Sequence, residues 1–236
     1  MNTMSESRAE RILVWDAAVR VFHWLLVLVF AGAWLTAESE RWRLVHVTLG
    51  YTAGALVLFR IAWGFVGTFH ARFANFVRGP AAVRNYLLSI VRGRPEHHTG
   101  HNPAGALAIL AILAAMLVLV GTGWAGYDEL AGEWVLDLHE GVATALLALI
   151  GVHVFAVVAS SLVHRENLVH AMVTGRKSGE PGEAIRSPRR LAASALLVAV
   201  LAFWATQWMQ PDAPAAGVQA SSRHAAGGHD GDDDDD

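Results

Sequence analysis

Five long apolar stretches, separated by polar segments, dominate the chain. They cover approximately residues 20–37, 45–66, 103–124, 138–163 and 191–209. Each is long enough to cross a lipid bilayer as a helix, which takes about 20 residues. The first is longer than the apolar core of a secretion signal and follows a mixed-charge segment, so we interpret it as a retained membrane helix. The pattern therefore predicts an all-α integral membrane protein with five transmembrane helices.

The distribution of arginine and lysine predicts how these helices are oriented. Most of the 18 cations lie in the N-terminal segment and in the connections 67–102 and 164–190, whereas residues 125–137 carry four acids and no cation. Cytoplasmic loops of membrane proteins carry an excess of these cations. We therefore expect a multi-pass protein of the bacterial inner membrane, with a cytoplasmic N-terminus and a periplasmic C-terminus.

The first long cytoplasmic connection contains a short amphipathic pattern. Its apolar positions recur at helical spacing: Val83, Tyr86, Leu87, Ile90 and Val91. Gly79-Pro80 precedes the pattern and Gly93 to Pro95 follow it, so we predict a short helix on the membrane surface. A loop with a chance periodicity remains the alternative.

Composition narrows the function classes further. Hydrophobic residues make up 54% of the 236 residues and charged residues 17%, against about 25% charged in an average soluble domain. Six of the 21 acids stand in the last seven residues, so the rest of the chain is mildly basic. The cations are scattered and include one lysine, which argues against a nucleic-acid partner. The absence of cysteine excludes disulfides, iron–sulfur clusters and covalently attached c-type haem.

Four of the twelve histidines lie within or at the ends of the apolar stretches: His23, His46, His139 and His153. Ionisable residues inside a membrane are costly and usually functional. His139 and His153 are 14 residues apart on one predicted helix. That spacing advances about 21 Å and falls about 40° short of four turns. The two imidazoles therefore face the same way at two depths of the bilayer.

The alternating direction of the helices pairs these histidines by depth. His23 and His153 fall on the inner side, and His46 and His139 on the outer side. Two neutral imidazoles opposed across a planar cofactor are typical of a low-spin b-type haem, whereas zinc prefers about four clustered ligands. We therefore predict two non-covalent, bis-histidine haem b groups. Histidines that merely form hydrogen bonds between helices are the alternative.

Three further residues are candidates for contact with the inner haem. Arg60 stands 14 residues after His46 and near the inner side, where a haem propionate could neutralise it. Arg20 lies one turn before His23. For both arginines the alternative is a side chain that reaches the cytoplasmic interface, and for Arg20 we favour it. His101 is expected near the edge of the inner haem.

The remaining histidines give a weaker signal. His97, His98 and His101 spell HHTGH, which looks like one histidine box of a membrane di-iron oxygenase, but no second box follows. His101-Asn102-Pro103 is better interpreted as a turn and a helix start. We expect three other histidines to be solvated: His70, His164 and His170.

An ordered series of motifs resembles a known family. The series consists of Trp15-Asp16 with Arg20 and His23-Trp24; Arg60 with Trp63 to Gly67 and Ala71-Arg72-Phe73; Gly100 to Pro103 with Gly105; and His139-Glu140, His153 and Glu166 to Gly175. Over roughly residues 11–177 the chain is similar to the bacterial cytochrome b-561 family, which includes the cytochrome b subunits of nickel–iron hydrogenases. The resemblance implies a four-helix haem-binding bundle, with axial ligands at the four histidines named above.

The chain departs from the simplest members in having a fifth span and an acidic tail. We predict a four-helix transmembrane domain over residues 1–177, a linker and fifth transmembrane helix over 178–210, and a disordered acidic tail over 211–236. The tail could capture a divalent metal or a basic partner, or be only a solvated end.

The predicted function is electron transfer across the inner membrane, between the quinone pool and a periplasmic redox partner such as a c-type cytochrome or a hydrogenase. Quinone would be an exchangeable redox partner rather than a resident cofactor. Two alternatives stay open: a histidine-lined metal or ion transporter, and a stand-alone quinone-linked oxidoreductase, for example one acting on superoxide. Whether the protein is itself an enzyme, which partner it has and which way electrons flow are not encoded in these patterns.

Overall fold

A computed structural model describes residues 10–94, 96 and 98–209. Five of its helices are long and apolar enough to cross a membrane, which confirms the five predicted spans. The helices in chain order are α1 (Ala17–Thr36), α2 (Arg43–Val66), α3 (Phe73–Phe76), α4 (Pro80–Val91), α5 (Pro103–Tyr127), α6 (Trp134–Val163), α7 (Leu168–Thr174) and α8 (Arg190–Trp208).

Polar side chains begin several of these helices. The Asp16 carboxylate caps α1 by accepting a hydrogen bond of 2.9 Å from the Val19 backbone nitrogen. Asn102 caps α5 by accepting one of 2.7 Å from Gly105, and Pro103 follows in the first turn. Such caps satisfy backbone donors that the first turn leaves unpaired. The helix start predicted at the Asn-Pro pair is confirmed.

Four of the membrane helices pack as two hairpins. α1 lies along α2, α5 lies along α6, and α2 contacts α5. Small residues allow the close approaches: a Cβ atom at Gly54 would lie 2.9 Å from Val120. Among the described residues, α1 and α6 make no extended contact with each other. These two histidine-bearing helices therefore belong to different hairpins and are not packed directly along each other.

A two-stranded ribbon adds a feature that the sequence patterns did not predict. Strand β1 (Glu10–Leu13) pairs with strand β2 (Arg176–Gly179) in antiparallel register, with Arg11 opposite Ser178. Each strand has four residues and little apolar alternation, so neither resembles a half-buried strand in sequence. The backbone nitrogens of Val14 and Trp15 both donate to the Gly175 carbonyl. The ribbon therefore ties the start of α1 to the end of α7.

Helix α4 confirms the short amphipathic helix predicted in the first long connection. Tyr86 on this helix is buried, whereas Val91 at its end is exposed, and α4 contacts α5. Its position on a membrane surface stays a prediction.

The chain divides into two compact units at residues 199 and 200. In the first unit, Ala193 near the start of α8 packs with Ala17 and Ala18 of α1. In the second unit, the described residues form the end of α8, where the rings of Trp204 and Trp208 lie 5.8 Å apart. The predicted acidic tail lies outside the described residues.

Candidate functional site

His46 and His139, which we call the outer pair after the predicted orientation, lie opposite each other on α2 and α6. Their ring centroids are 6.3 Å apart. Imidazole nitrogens bind transition-metal ions at about 2 Å, so two rings that face one ion through Nε2 have centroids about 6 Å apart. The spacing of the outer pair therefore fits one metal ion held between two imidazoles.

Hydrogen bonds also orient the rings of the outer pair. The Nδ1 atom of His46 lies 2.9 Å from the Ala33 carbonyl oxygen. The Nδ1 atom of His139 lies 2.9 Å from the Leu119 carbonyl oxygen and 3.2 Å from the Thr122 hydroxyl. A carbonyl only accepts, so in both rings Nδ1 carries the proton. Each Nε2 then keeps the lone pair that a metal requires.

His23 and His153, the inner pair, lie on α1 and α6 and are both half-buried. They are close enough to interact electrostatically. The Nδ1 atom of His23 is buried and has no hydrogen-bond partner in the part of the chain that the structure describes. Because buried polar atoms are nearly always paired, this nitrogen fits a site that a non-protein group completes.

Two arginines lie at the same end of the bundle as the inner pair. Arg60 is 3% exposed, and its guanidinium carbon lies 5.2 Å from the centre of the Phe73 ring. Its Nη1 atom has no hydrogen-bond partner among residues 10–94, 96 and 98–209. Burial therefore excludes the alternative in which Arg60 reaches water. Arg20 is less buried and donates to the Val173 carbonyl, while its Nε atom is enclosed and has no hydrogen-bond partner among the residues that the structure describes.

Asp16 connects the two helices that carry these arginines, a role that sequence reasoning missed. Its carboxylate is fully buried and accepts hydrogen bonds from the Trp63 indole nitrogen at 3.1 Å and the Thr68 hydroxyl at 2.6 Å. Its position just before the first apolar stretch was a signal for a helix cap. The long-range bonds to Trp63 and Thr68 had no signal in the sequence.

His101 lies at the start of α5 among aromatic rings. Its ring centroid is 4.5 Å from that of Trp15 and 4.6 Å from that of Phe76. Burial lowers the pKa of His101 to about 3, with a further contribution from the positive charge of Arg60. The imidazole is therefore neutral, and its Nδ1 atom has no hydrogen-bond partner within the described part of the chain.

His70 corrects one of the sequence predictions. It was expected to be solvated, but it is buried, and its Nε2 atom donates to the Glu183 carbonyl at 2.8 Å. The reason is a 3-10 turn over Phe69–Ala71, which brings the His70 ring edge-on to that of Trp15, with centroids 6.3 Å apart. Of the other two, His170 is exposed as predicted and His164 is half-buried.

A cavity of about 500 Å³ opens beside His70 and His101. Its walls also include Phe69, Phe76 and His98. His97, the first residue of the HHTGH motif, lies outside the described residues. Within the part of the chain that the structure describes, no group of three or more histidine or acidic side chains is arranged to hold a metal ion. The structure therefore offers no support for a di-iron box.

Residues 14–175 match the prokaryotic cytochrome b561 family. The chain belongs to this family. It is therefore a multi-pass membrane cytochrome of the b type, which carries haem b and takes part in electron transport, as the sequence predicted. The match favours this function over a metal or ion transporter. It ends before α8, so the fifth span lies outside the family region.

Curated relatives of this cytochrome share between a fifth and a third of its residues. A probable Ni/Fe-hydrogenase B-type cytochrome subunit of Azotobacter vinelandii is 29% identical over 70% of this chain and 87% of its own. The same-named protein of Rhodobacter capsulatus is 24% identical over 72% and 83%. A probable Ni/Fe-hydrogenase 1 B-type cytochrome subunit of Escherichia coli K12 is 24% identical over 75% and 94%. No solved structure matches the chain significantly.

Proposed function

We propose that the protein is a di-haem cytochrome b that moves electrons across the membrane, between the quinone pool and a redox partner on the outer side. His23 and His153 would hold one haem, and His46 and His139 the other, both without covalent attachment. The observation that carries the proposal is the 6.3 Å spacing of the outer pair. His153 of the inner pair stands 14 residues after His139 on the same helix, α6.

Bound haem b supplies reversible one-electron exchange at its iron. At the outer pair, the residues of the chain present unprotonated Nε2 atoms and set the local electrostatics. The Ala33 and Leu119 carbonyls hold the outer pair in the required tautomer. These hydrogen bonds also fix the rotation of each ring, which is the usual role of groups that surround a metal ligand.

Arg60 and Arg20 supply positive charge for the inner haem. A buried cation is costly unless an anion or hydrogen-bond acceptors satisfy it. Among the described residues, the Nη1 atom of Arg60 and the Nε atom of Arg20 both lack hydrogen-bond partners. We assign these donors to the propionate groups of the inner haem, with Arg60 as the principal contact because it is the more deeply buried.

The cavity beside His101 is our candidate for the quinone site. Its volume of about 500 Å³ is within the range of small-molecule sites, and polar side chains outnumber apolar ones in its walls. Phe69 and Phe76 provide flat apolar walls, and His101 provides a neutral polar group. His101 also interacts electrostatically with His153, so a ligand there would lie near the inner pair.

On the outer side, the named function of the relatives points to a hydrogenase as the partner. Residues 125–137, which we call the outer loop, carry four exposed acids. In the proposed orientation, with the N-terminus in the cytoplasm, this loop faces the periplasm close to the outer pair. It would be the surface that meets the partner.

Haem stoichiometry combined with a redox titration tests the proposal. The purified full-length protein should contain two b haems per chain and titrate in two one-electron steps. One haem per chain would contradict the assignment of one of the pairs. A preparation with no b-type absorbance would instead favour the transporter interpretation.

A further inference from the structure

Two neighbouring residues of α5, Thr122 and Gly123, meet the ring of His139. The Thr122 side chain is buried, and its hydroxyl oxygen lies 3.2 Å from His139 Nδ1. A Cβ atom at Gly123 would lie 2.9 Å from Cε1 of the same ring. The ring therefore occupies the space that a side chain at position 123 would fill, with the Thr122 hydroxyl beside it.

The hydrogen-bond directions follow from the groups involved. The Thr122 hydroxyl lies 2.9 Å from the Val118 carbonyl and 3.0 Å from the Leu119 carbonyl. It has one hydrogen, which it donates back along its own helix. Its lone pairs then accept from His139 Nδ1, which also donates to the Leu119 carbonyl. The imidazole N–H is thus shared between two acceptors.

We propose that Thr122 and Gly123 are positioning residues that fix the His139 ligand and lower the reduction potential of the outer haem. This rests on the proposed function, in which His139 is an axial ligand. A second acceptor on Nδ1 makes Nε2 a stronger electron donor. A stronger donor stabilises the oxidised iron more than the reduced iron. Gly123 contributes by letting the ring sit against the helix in a single orientation.

His46 offers a comparison within the same pair. Its Nδ1 atom donates to one carbonyl, that of Ala33. Thr48, two residues further along α2, is buried like Thr122 and donates to a carbonyl of its own helix in the same way, at 2.8 Å from Leu44. Thr48 therefore provides a matched control for the loss of a buried hydroxyl without the loss of a bond to His139.

The test uses Thr122→Val, which keeps the shape of the side chain and removes the acceptor, and Thr48→Val as its control. Both variants should keep two haems per chain. In Thr122→Val, the midpoint of one haem should shift upward and its low-spin electron paramagnetic resonance signal should move, while the other haem is unchanged. Thr122→Ser, which restores the hydroxyl, should return both readouts to their original values.

Gly123→Ala and its control Gly121→Ala test the steric part. A Cβ atom at Gly121 meets no atom within 4 Å, so this variant should keep both haems. Gly123→Ala should displace the ring, so that haem content falls towards one per chain or one low-spin signal is altered. If Gly123→Ala fails to accumulate, the Thr122 variants still decide the proposal.

Two results would overturn it. One is a Thr122→Val protein in which both midpoints and both low-spin signals match those of the unmodified protein. The other is an equal shift in Thr48→Val, which would make the effect one of general packing. Failure of the proposed function is separate: a His139→Ala protein that keeps two six-coordinate haems would remove His139 as a ligand, whatever the Thr122 variants do.

Discussion

The indole nitrogen of Trp63 donates a hydrogen bond to the buried carboxylate of Asp16, at 3.1 Å. This bond joins the last turn of α2 to the first turn of α1. The same carboxylate caps α1 and accepts from the Thr68 hydroxyl. One acidic side chain therefore fixes how the two helices meet at the end of the bundle that holds Arg60 and the inner pair.

Asp16→Ala should destabilise the protein at this junction. The change removes a helix cap worth about 1 kcal/mol. It also leaves the buried Thr68 hydroxyl without this acceptor, at about 1–3 kcal/mol, and removes the bond to the half-buried Trp63 indole. We expect a lower thermal midpoint in detergent and weaker retention of the inner haem. Glu140→Ala, which removes an exposed acid on α6, is the control and should leave both unchanged.

The sequence alone was sufficient to predict the five spans and the proximity of the two histidines of the outer pair. A run of about 20 apolar residues is typical of a membrane-spanning helix. Once the helices alternate in direction, depth alone places His46 opposite His139. These predictions depend on periodicity and length, which are properties of the local sequence.

The features that sequence reasoning missed depend on contacts between distant segments. The pairing of β1 with β2 joins residues 165 positions apart. The burial of His70 depends on the contact of its segment with Trp15. The contact of Thr122 with His139 depends on the rotation of α5 against α6. In an apolar stretch, no sequence pattern distinguishes a single threonine that contacts a functional histidine from a threonine that only packs.

Variants that each lack one histidine should show which haem each histidine pair binds. His139→Ala should remove the outer haem selectively and His153→Ala the inner one, because each loses one of two axial ligands. Haem content and low-spin signals measure the result. His170→Ala, which changes an exposed histidine on α7, is the control and should keep both haems. Two intact six-coordinate haems in either ligand variant would contradict the pairing.

Replacement of Arg60 by glutamine should lower the reduction potential of the inner haem. Reduction adds negative charge to the haem, and a buried cation nearby favours the more negative state. The inner haem is identified as the one that the His153→Ala variant loses. Arg84→Gln, on the exposed surface of α4, should leave both midpoints in place. An unchanged titration in Arg60→Gln would show that the guanidinium does not act on the haem.

The five spans should place the two ends of the chain on opposite sides of the membrane. The basis is the excess of arginine in the N-terminal segment and in the connections 67–102 and 164–190. A reporter that is active only in the periplasm should be active when it is fused after Met209. A reporter that is active only in the cytoplasm should be active when it is fused in the connection 67–102. Cytoplasmic activity after Met209 would refute either the orientation or the fifth span.

The outer loop should attract a basic redox protein. Its acids, Asp128, Glu129, Glu133 and Asp137, are all exposed. Opposite charges accelerate encounter, and salt screens that attraction over about 10 Å at 0.1 M ionic strength. A basic c-type cytochrome is therefore a suitable probe of the outer haem, and its rate of electron exchange should fall as the salt concentration rises.

Quinol should reduce both haems because it diffuses within the bilayer. The two histidine pairs are separated by about 21 Å along α6, and this distance covers most of the thickness of the hydrocarbon core. The measurement mixes a menaquinol or ubiquinol analogue with the fully loaded protein and follows the b-type absorbance. The basic cytochrome, added next, should then be reduced. His139→Ala should still accept electrons at the inner haem yet fail to pass them on, because the relay lacks its outer half. A fully loaded preparation that quinol does not reduce and quinone does not reoxidise would remove the quinone pool from the proposed function.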